Sequence, residues 1–569
     1  MSNLVETAKI QLNELINKAI STAIKDGKLP EGEIPQFVIE IPSDTAHGDF
    51  ATNIAMVSAR AFHLAPKKIA EIICEEFDLS NSFFEKTEIA GPGFINFFLQ
   101  KNWFANVVSD IISEGENYGR SDFGKGEKVM IEFVSANPTG PMHMGNARGG
   151  SIGDCLAAAM DWAGYKVHKE FYINDAGNQI AKFGNSLEAR YLQIFKGEDV
   201  IEFPEDGYHG EDIKERAKGF AEIYGDKYVD AIAEERQKAL INYALPLNIE
   251  KLRTDLKKYR IEFDEWFAES QLHASGAVMN VVEVLKNKNL AYEKDGAIWY
   301  KATEFGGEKD EVLVRANGFP TYFTADIAYH YNKFVVRGFD KCIDVWGADH
   351  HGHVARLKGA MNAIGLDGNK LDIVLMQLVN LTKDGEVVKM SKRTGKAITL
   401  SDLIEEIPID AARFFFNMRE PNSTLDFDLD LAVEESSKNP VYYVQYAHAR
   451  ICSILKNLEA EGIETSKTSL NNLELLTASE EIELIRILSR LTSEIIMAAK
   501  NYDPARLTHY IVDVATAFHS FYTTCHVRVP EKELMEARIE LCKATRYVIK
   551  NVLTMIKVDA PEKMTNNKE

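Results

Sequence analysis

The sequence predicts an α/β protein in three parts: a doubly wound parallel sheet in the middle, a smaller α/β domain before it and an all-helical bundle after it. Between residues 128 and 400, short apolar strand patterns alternate with amphipathic helix patterns, which is typical of parallel sheets covered by helices. Beyond residue 400 the patterns are helical throughout, and before residue 118 helix and strand patterns are mixed. The 569 residues are enough for about three domains, each with its own core.

The first domain is predicted to span residues 1–118. Its expected elements are a helix over 4–25, a strand over 37–42, a helix over 66–77 and, in EIAGPGFINFFL, a strand with a Gly-Pro-Gly interruption. The stretch 113–128, rich in glycine and charge, is the best linker candidate.

The middle domain is predicted to span residues 119–400 and to be Rossmann-like. Strands are expected near residues 128–134, 167–173, 312–315, 342–347 and 373–381, and helices near 146–163, 176–191 and 353–364. Residues 197–301 are more acidic and helical, and they are interpreted as an insertion. Ligand sites of such sheets lie at the carboxyl ends of the strands.

Residues 401–569 are predicted to form a helical bundle, because PARLTHYIVDVATAFHSFYTTCHV and VYYVQYAHARICSILKNLEAEG have the pattern of long amphipathic helices.

Composition excludes several classes of protein. The net charge of −21 argues against non-specific coating of nucleic acid, although a local basic track is compatible with it. No apolar run approaches the roughly 18 residues of a membrane span, and the amphipathic N-terminus does not resemble a signal peptide. Six scattered cysteines without a C-x-x-C pair indicate reduced thiols in a cytoplasmic protein rather than a zinc site or a disulfide framework.

The segment SANPTGPMHMGN, which ends at Asn146, predicts a strand that turns into a helix. Gly and Pro interrupt the apolar run after Val134, and a helix pattern follows with Gly145 at its start. The unpaired N–H groups at such a helix start favour anions, so the turn predicts a phosphate site. His143 could donate a hydrogen bond to a phosphate oxygen there, or it could be bonded only within the turn.

A second segment, KMSKR at residues 389–393, places Lys389 and Lys392 close together in a loop. Two ammonium groups could clamp a polyphosphate, with Ser391 donating a further hydrogen bond. The alternative is a solvated basic face, which is the ordinary explanation of a basic run such as Lys383–Lys396.

Together these segments resemble the paired H-I-G-H and K-M-S-K-S elements of class I aminoacyl-tRNA synthetases. With FYINDAGNQI, TYFTADIAYH, VWGADHHGHVARLKGA, DAARFFF and NPVYYVQYAHARI, the chain resembles bacterial arginyl-tRNA synthetases over residues 128–451. The resemblance implies ATP-dependent ligation of L-arginine to its tRNA through an adenylate, with Mg²⁺ accompanying ATP. It also implies that activation requires bound tRNA. A monomer is expected, although the sequence itself does not determine the oligomeric state.

The resemblance implies a catalytic set of His143, Asn146, Lys389 and Lys392. Asn146 replaces the second histidine of the motif, and an amide can donate a hydrogen bond but cannot become cationic. The further residues expected to bind ATP are Gly140, Gly145, Gly347, Asp349, His350, Met390 and Ser391.

The arginine pocket is implied to contain Glu132, Asn137, His143, Tyr322 and Asp326. Glu132 lies in an apolar strand, so it needs a cationic partner, and a structural Arg or Lys would also serve. Tyr322 and Asp326 are four residues apart at a helix start and can face one side. Two carboxylates suit the guanidinium of arginine, and no segment for an editing domain is evident.

The histidines of GADHHGH invite a zinc site, but their spacing fits no ordinary zinc pattern and no metal is predicted. Asp349 and His350 could instead serve the nucleotide ribose, the amino acid, or only a helix start.

Contacts to tRNA are expected at both ends of the chain. IPSDTAHGDFATNIA resembles the family's N-terminal tRNA-contact domain, and Asp44, His47, Asp49 and Asn53 could contact the tRNA elbow or cap a helix start. In the bundle, Tyr442, Tyr443, Gln445, Tyr446, His448 and Arg450 form an aromatic and basic face suited to stacking with unpaired bases, and about half of them are expected to be core.

Other functions remain open from sequence alone: a class I synthetase for another amino acid, a non-catalytic tRNA-binding paralogue, or a small nucleotidyltransferase. The presence of both lysines opposes the paralogue, and the helical C-terminal third opposes the nucleotidyltransferase.

Overall fold

The computed structural model describes residues 3–42, 44–388 and 398–564. The N-terminal part contains α1 (Leu4–Lys25), β1 (Ile39–Glu40), β2 (Phe50–Thr52), α2 (Ile54–Val57), α3 (Ala59–Phe62), α4 (Pro66–Glu75), β3 (Phe84–Ala90), β4 (Phe94–Leu99) and α5 (Lys101–Glu114). Its strands form an antiparallel sheet in the order β1-β2-β4-β3. The expected interrupted strand is a hairpin, because Gly91 and Gly93 take positive φ values that reverse the chain.

The elements of the middle part fall in two groups. The first contains β5 (Lys128–Glu132), α6 (Met144–Trp162), β6 (Lys166–Ile173), α7 (Asn178–Lys196), α8 (Glu211–Tyr224), α9 (Ala233–Lys258), β7 (Glu265–Ala268), α10 (Glu269–Ala274) and α11 (Ala277–Asn287). The second contains β8 (Ala291–Lys294), β9 (Ala297–Tyr300), β10 (Glu311–Val314), α12 (Tyr322–Tyr331), β11 (Lys341–Gly347), α13 (His351–Ile364) and β12 (Leu371–Met376).

Five of these strands form the doubly wound sheet, in the order β12-β11-β5-β6-β7 with every neighbouring pair parallel. The predicted α/β fold is therefore confirmed. α6 is buried along most of its length, because the sheet covers one side and α15 (Ile409–Phe416) and α19 (Leu491–Asn501) cover the other.

Two expectations about the sheet are wrong. The edge strand β7 comes from the segment 197–301 that was interpreted as an insertion, so the part outside the sheet ends before Glu265. The strand near residues 312–315 belongs instead to an antiparallel sheet in the order β10-β9-β8. Asp295 and Gly296, both with positive φ, form a two-residue hairpin turn between β8 and β9, and β10 pairs with that hairpin.

The segment 373–381 is divided between two sheets. Its second half starts β13 (Val379–Lys383), which pairs with β14 (Glu386–Val388) and β15 (Leu425–Asp428). The remaining helices before the bundle are α14 (Leu400–Glu406) and α16 (Leu429–Val433). The pattern beyond residue 400 is therefore not helical throughout, since four residues of β15 extend the sheet of β13.

The bundle contains α17 (Pro440–Ala460), α18 (Ser479–Leu488), α20 (Ala505–Thr524) and α21 (Lys532–Met555), together with α19. It packs against the N-terminal part through α5, and Arg486 of α18 is paired with Asp49 at 2.7 Å. In the described part of the chain, no helix is long and apolar enough to cross a membrane.

Candidate active site and tRNA surfaces

The predicted ATP and arginine residues that the structure describes all line one cleft of about 1850 Å³ at the carboxyl ends of the parallel strands. They are Glu132, Asn137, Gly140, His143, Gly145, Asn146, Tyr322, Asp326, Gly347, Asp349 and His350. Lys389, Met390, Ser391 and Lys392 lie outside the described residues. The structure thus brings together residues that are up to 218 positions apart in sequence.

The turn before α6 is fixed by hydrogen bonds within it. The Nδ1 atom of His143 accepts from the backbone N–H of Gly145 at 3.1 Å, and Oδ1 of Asn146 accepts from the backbone N–H of His143 at 3.0 Å. Burial lowers the pKa of His143. Because Nδ1 accepts the hydrogen bond from Gly145, the neutral ring carries its proton on Nε2. The Nε2 donor of His143 and the amide N–H groups of Asn146 make no hydrogen bond to another described residue.

The glycines of the turn differ in their surroundings. A Cβ atom on Gly145 would lie 3.0 Å from the imidazole of His143, whereas a Cβ on Gly140 would meet no atom within 4 Å. Gly145 therefore allows the ring to fold back over the helix start, and Gly140 borders open space. The N–H of Leu400 donates to the carbonyl of Met142 at 2.9 Å, which joins α14 to the same turn.

Glu132 lies at the end of β5, where the backbone is strained. Val134 and Ser135 have φ values of 68° and 41°, which a β-branched residue rarely adopts. This bend brings the hydroxyl of Ser135 to Glu132, to which it donates at 2.9 Å. The same hydroxyl accepts from the N–H of Tyr172 at 3.1 Å, so the bend also connects β5 to β6.

The cationic partner of Glu132 is Lys333, whose ammonium lies 2.6 Å from Glu132 and 2.9 Å from Asp344. Burial raises the pKa of Glu132, the ammonium of Lys333 lowers it, and the charge of Asp344 raises it; the net direction is upward. His330 joins this cluster, with one ring nitrogen 3.1 Å from Asp344 and the other 2.7 Å from the carbonyl of Asp326. A lysine of the protein itself therefore pairs with Glu132, as the structural alternative predicted, and Glu132 also lines the cleft.

Asp326 and Tyr322 are held by a second chain of contacts. Arg356 donates through Nε to Nδ1 of His353 at 2.7 Å, so His353 donates through Nε2 to Asp326 at 2.9 Å. Arg356 also donates to the hydroxyl of Tyr322 at 3.2 Å and pairs with Glu311. Tyr322 remains 59% exposed, which leaves its ring free to cover a ligand.

Glu132 and Asp326 make one part of the cleft acidic, and this part is called the acidic end. Sequence reasoning missed two residues that belong to it, Glu269 and Tyr172. Glu269 is the first residue of α10, directly after β7, and its buried carboxylate lies 3.2 Å from His273. Burial raises its pKa. The buried hydroxyl of Tyr172 lies beside the carboxylate of Glu269. An acidic residue at the end of an apolar strand was the available signal, but that strand fell inside the supposed insertion.

Asp349 and His350 are exposed at the lip of the cleft, with 3.6 Å between a carboxylate oxygen and the ring. Within the described residues, the cluster with metal-ligand spacing is instead His168, Glu170 and Glu265. Arg337 already pairs with both of those carboxylates, so a cation occupies the position that a metal would need.

The predicted N-terminal tRNA residues are mostly engaged locally. Asp44 accepts from the N–H of Ala46 at 2.9 Å, and Asn53 accepts from the N–H of Val38 at 2.9 Å. His47 is exposed. Asp49 cannot contact tRNA as the protein stands, because it is buried between the N–H of Leu99 and the guanidinium of Arg486.

The aromatic face of α17 exists, and it continues onto α20. His519 of α20 lies 4.7 Å from the ring of Tyr443 and 6.0 Å from that of Tyr446, measured between centroids. Arg450 lies over the rings of Tyr446 and Tyr522. Of the six residues expected there, only His448 is buried, with a ring nitrogen 2.9 Å from the carbonyl of Pro561, so the expectation that half are core is wrong. Tyr443, Tyr446 and Arg450 remain partly exposed in the groove between α17 and α20. Gln445 lies elsewhere, where it donates to Asp410 and to the carbonyl of Asp559.

Comparisons with known proteins agree along the whole chain. The model of the class I (R) tRNA synthetase catalytic domain matches residues 107–453, the arginyl tRNA synthetase N-terminal domain matches 11–99, and the DALR anticodon binding domain matches 444–564. The arginine–tRNA ligases of Acetivibrio thermocellus and Caldanaerobacter subterraneus are 56% and 58% identical, over 99% of this chain and 100% of theirs.

Among solved structures, the arginyl-tRNA synthetase of Thermus thermophilus has the same fold, with a TM-score of 0.71 and 20% identity over 96% of this chain and 99% of that one. The relatives favour an arginine ligase over a synthetase for another amino acid and over a non-catalytic paralogue.

Proposed function

This chain belongs to the class I arginyl-tRNA synthetases, and we propose that its cleft holds arginine at the acidic end and ATP at the turn before α6. As a member of the family it is an enzyme that ligates L-arginine to its cognate tRNA with ATP. The reaction passes through an arginyl-adenylate and releases AMP and pyrophosphate.

The observation that carries the proposal is that one cleft combines an acidic cluster with a helix N-terminus. Glu132, Asp326 and Glu269 lie around Tyr172, and the N-terminus of α6 with His143 and Asn146 lines the same cleft. Arginine carries two cationic groups and one carboxylate, and only the carboxylate must reach the α-phosphate. The cations therefore face the acidic residues, where Tyr322 and Asn137 complete the pocket and the hydroxyl of Tyr172 lies beside Glu269.

At the turn before α6, the N–H groups of α6 and the donors of His143 and Asn146 would bind phosphate oxygens, on which negative charge grows as pyrophosphate leaves. ATP enters as its magnesium complex, and the metal neutralises part of that charge. Gly140 and Gly145 leave room for the nucleotide, and Gly347, Asp349 and His350 form the lip that would contact its ribose.

The first test is pyrophosphate exchange with each of the twenty amino acids, with and without total tRNA. We expect exchange with arginine alone and only when tRNA is present. Exchange with another amino acid would overturn the arginine pocket, and exchange with none would overturn the catalytic function.

Asp326→Asn tests the pocket directly, since it removes the charge and keeps the size. We expect the affinity for arginine to fall by about tenfold or more, because a charged pair becomes a neutral hydrogen bond. The matched control is Glu311→Gln, which perturbs Arg356 from outside the cleft and should leave the affinity within about twofold. Affinity within a few-fold of the original for Asp326→Asn would show that the pocket lies elsewhere.

Lys389 and Lys392, with Met390 and Ser391, remain predicted contacts of the polyphosphate. Lys392→Ala should cut pyrophosphate exchange severely and leave arginine binding intact. Lys383→Ala, in β13 of the same basic track, is the control. Equal small effects of both substitutions would support a solvated basic face instead.

We further propose that the protein is a monomer in the cytoplasm, with domain boundaries near residues 118 and 400. We also propose that tRNA contacts His47 and the groove formed by Tyr443, Tyr446 and Arg450. The shared aromatic surface of α17 and α20 supports stacking with unpaired bases. Tyr443→Ala should raise KM for tRNA and leave KM for arginine unchanged, and light scattering should give the mass of one chain, 63.9 kDa.

A further inference from the structure

Arg148 has an unusual environment for a cation. It lies on α6, five residues after His143, and its side chain is fully buried. Its Nη1 atom donates to the carbonyls of Gln377 (2.8 Å) and Leu378 (3.4 Å), and Nη2 donates to those of Glu420 (3.1 Å) and Ser423 (2.8 Å). No carboxylate among the described residues pairs with it. One guanidinium therefore holds two other segments of chain by their backbones.

The first of those segments forms a wall of the cleft. Gln377 and Leu378 connect β12 to β13, and residues 376–381 line the cleft together with the turn before α6. The second segment, residues 420–425, is attached to this wall by two backbone hydrogen bonds. The N–H of Gln377 donates to the carbonyl of Pro421 at 2.9 Å, and the N–H of Leu425 donates to that of Leu378 at 3.2 Å. Arg148 is the group that joins this pair of segments to α6.

Burying a cation without a counter-ion is unfavourable unless hydrogen bonds replace its hydration. Burial lowers the pKa of Arg148 to about 10, which still leaves it protonated at neutral pH. Its planar fork directs donors to two sides in a fixed geometry, which the single ammonium of lysine cannot reproduce. The arrangement thus sets the direction and distance between α6 and the wall.

We propose that Arg148 is a positioning residue for adenylate formation, which fixes the cleft wall at residues 376–381 relative to the phosphate-binding turn of α6. The inference rests on the proposed function, because it assumes that ATP lies between that turn and that wall. Arg148 does not line the cleft, so it acts through the four carbonyls. Misplacement by about 1 Å can lower a rate about 100-fold, whereas the arginine pocket lies on β5, α10 and α12 and does not depend on these bonds.

The experiment compares two equally conservative substitutions, Arg148→Lys and Arg236→Lys. Arg236 is a matched control: it is also buried, donates to the carbonyls of Tyr228, Val229 and Ala231 and pairs with Glu188, but it lies away from the cleft. Pyrophosphate exchange is measured with tRNA present, together with thermal unfolding. We expect kcat to fall about tenfold or more for Arg148→Lys with KM for arginine within twofold, and kcat to stay within twofold for Arg236→Lys.

A kcat of Arg148→Lys within twofold of the control would overturn the proposal, as would a rise in KM for arginine that accounts for the whole loss. If Arg148→Lys does not fold, Arg148→Gln serves, because it removes the buried charge and keeps two donors. The same fall in kcat is expected from Arg148→Gln, and an unchanged kcat would overturn the proposal. Absence of arginine-dependent exchange in the unsubstituted chain would contradict the proposed function instead, so the two failures are distinguishable.

Discussion

Four carboxylates stand side by side across the parallel sheet, and the two halves of this row differ in what surrounds them. In register, Asp344 of β11 neighbours Glu132 of β5, Glu132 neighbours Glu170 of β6, and Glu170 neighbours Glu265 of β7. Residues in register lie on one face of a sheet, where adjacent like charges destabilise it unless cations intervene. Lys333 serves the inner half (Asp344 and Glu132) and Arg337, four residues later, serves the outer half (Glu170 and Glu265).

In the outer half, Glu170 is saturated, whereas Glu265 accepts from Arg337 at 3.1 Å and its side chain stays 38% exposed. Glu170 accepts both arms of the Arg337 fork and the hydroxyl of Tyr329, and a ring nitrogen of His168 lies 3.2 Å away. Although burial raises the pKa of Glu170, these hydrogen bonds lower it to about 2. A carboxylate offers about four acceptor positions, so Glu170 has none left for a ligand.

The inner half is not saturated. Glu132 accepts only from Ser135 and Lys333 among the described residues, and both Glu132 and Asp344 line the cleft. Acceptor positions therefore remain for a cationic ligand. The comparison teaches that the donors which the protein itself supplies fill Glu170 in the outer half, whereas they leave acceptor positions open on Glu132 in the inner half.

The largest effect is expected from Lys333→Met, which leaves two buried carboxylates without a cation. Breaking a buried ion pair costs about 3–5 kcal/mol, so urea denaturation should show a loss of that size together with loss of arginine-dependent exchange. Adding Glu132→Gln and Asp344→Asn to Lys333→Met should restore stability but not arginine binding. A Lys333→Met variant as stable as the original chain would show that the inner half does not need its lysine.

One substitution in each half, Glu132→Gln and Glu170→Gln, tests whether the two halves of the row have different roles. Glu132→Gln should raise KM for arginine by about tenfold, because a charged acceptor is lost. It should change the free energy of unfolding by less than about 1 kcal/mol, because burial already disfavours the charged form of Glu132. Glu170→Gln should lower the free energy of unfolding at pH 7 by about 3 kcal/mol and leave KM for arginine within twofold. Similar profiles for both variants would contradict the division.

The sequence was sufficient for local structure in this region. The apolar run of β5, the Gly/Pro turn and the start of α6 are each encoded within a few residues, and the need of Glu132 for a cation follows from its apolar neighbours. The identity of that cation does not follow, since Lys333 is 201 positions away in a short π-helical turn. Likewise, Arg148 meets Ser423 across 275 positions.

Strand order was the second obstacle, because no local pattern says which strands are neighbours. β7 and β10 are both short apolar segments, yet only β7 joins the parallel sheet, and Glu269 was missed with it. The hairpin at Asp295 and Gly296 was a usable signal that β8 and β9 pair with each other.

The smallest effect is a pH dependence whose sign differs between the halves. The pKa of Glu170 is about 2 in the folded chain and about 4.3 in the unfolded one, so its contribution is present above pH 4.3 and is lost as pH falls toward 2. The difference in unfolding free energy between the original chain and Glu170→Gln should therefore shrink by about 2 kcal/mol between pH 7 and pH 3. Burial raises the pKa of Glu132, so for Glu132→Gln the original chain should gain relative stability as pH falls. Urea denaturation of the original chain, Glu170→Gln and Glu132→Gln between pH 7 and pH 3 checks both signs. If the two differences in unfolding free energy change with pH in the same direction, the halves of the row do not differ in hydrogen bonding.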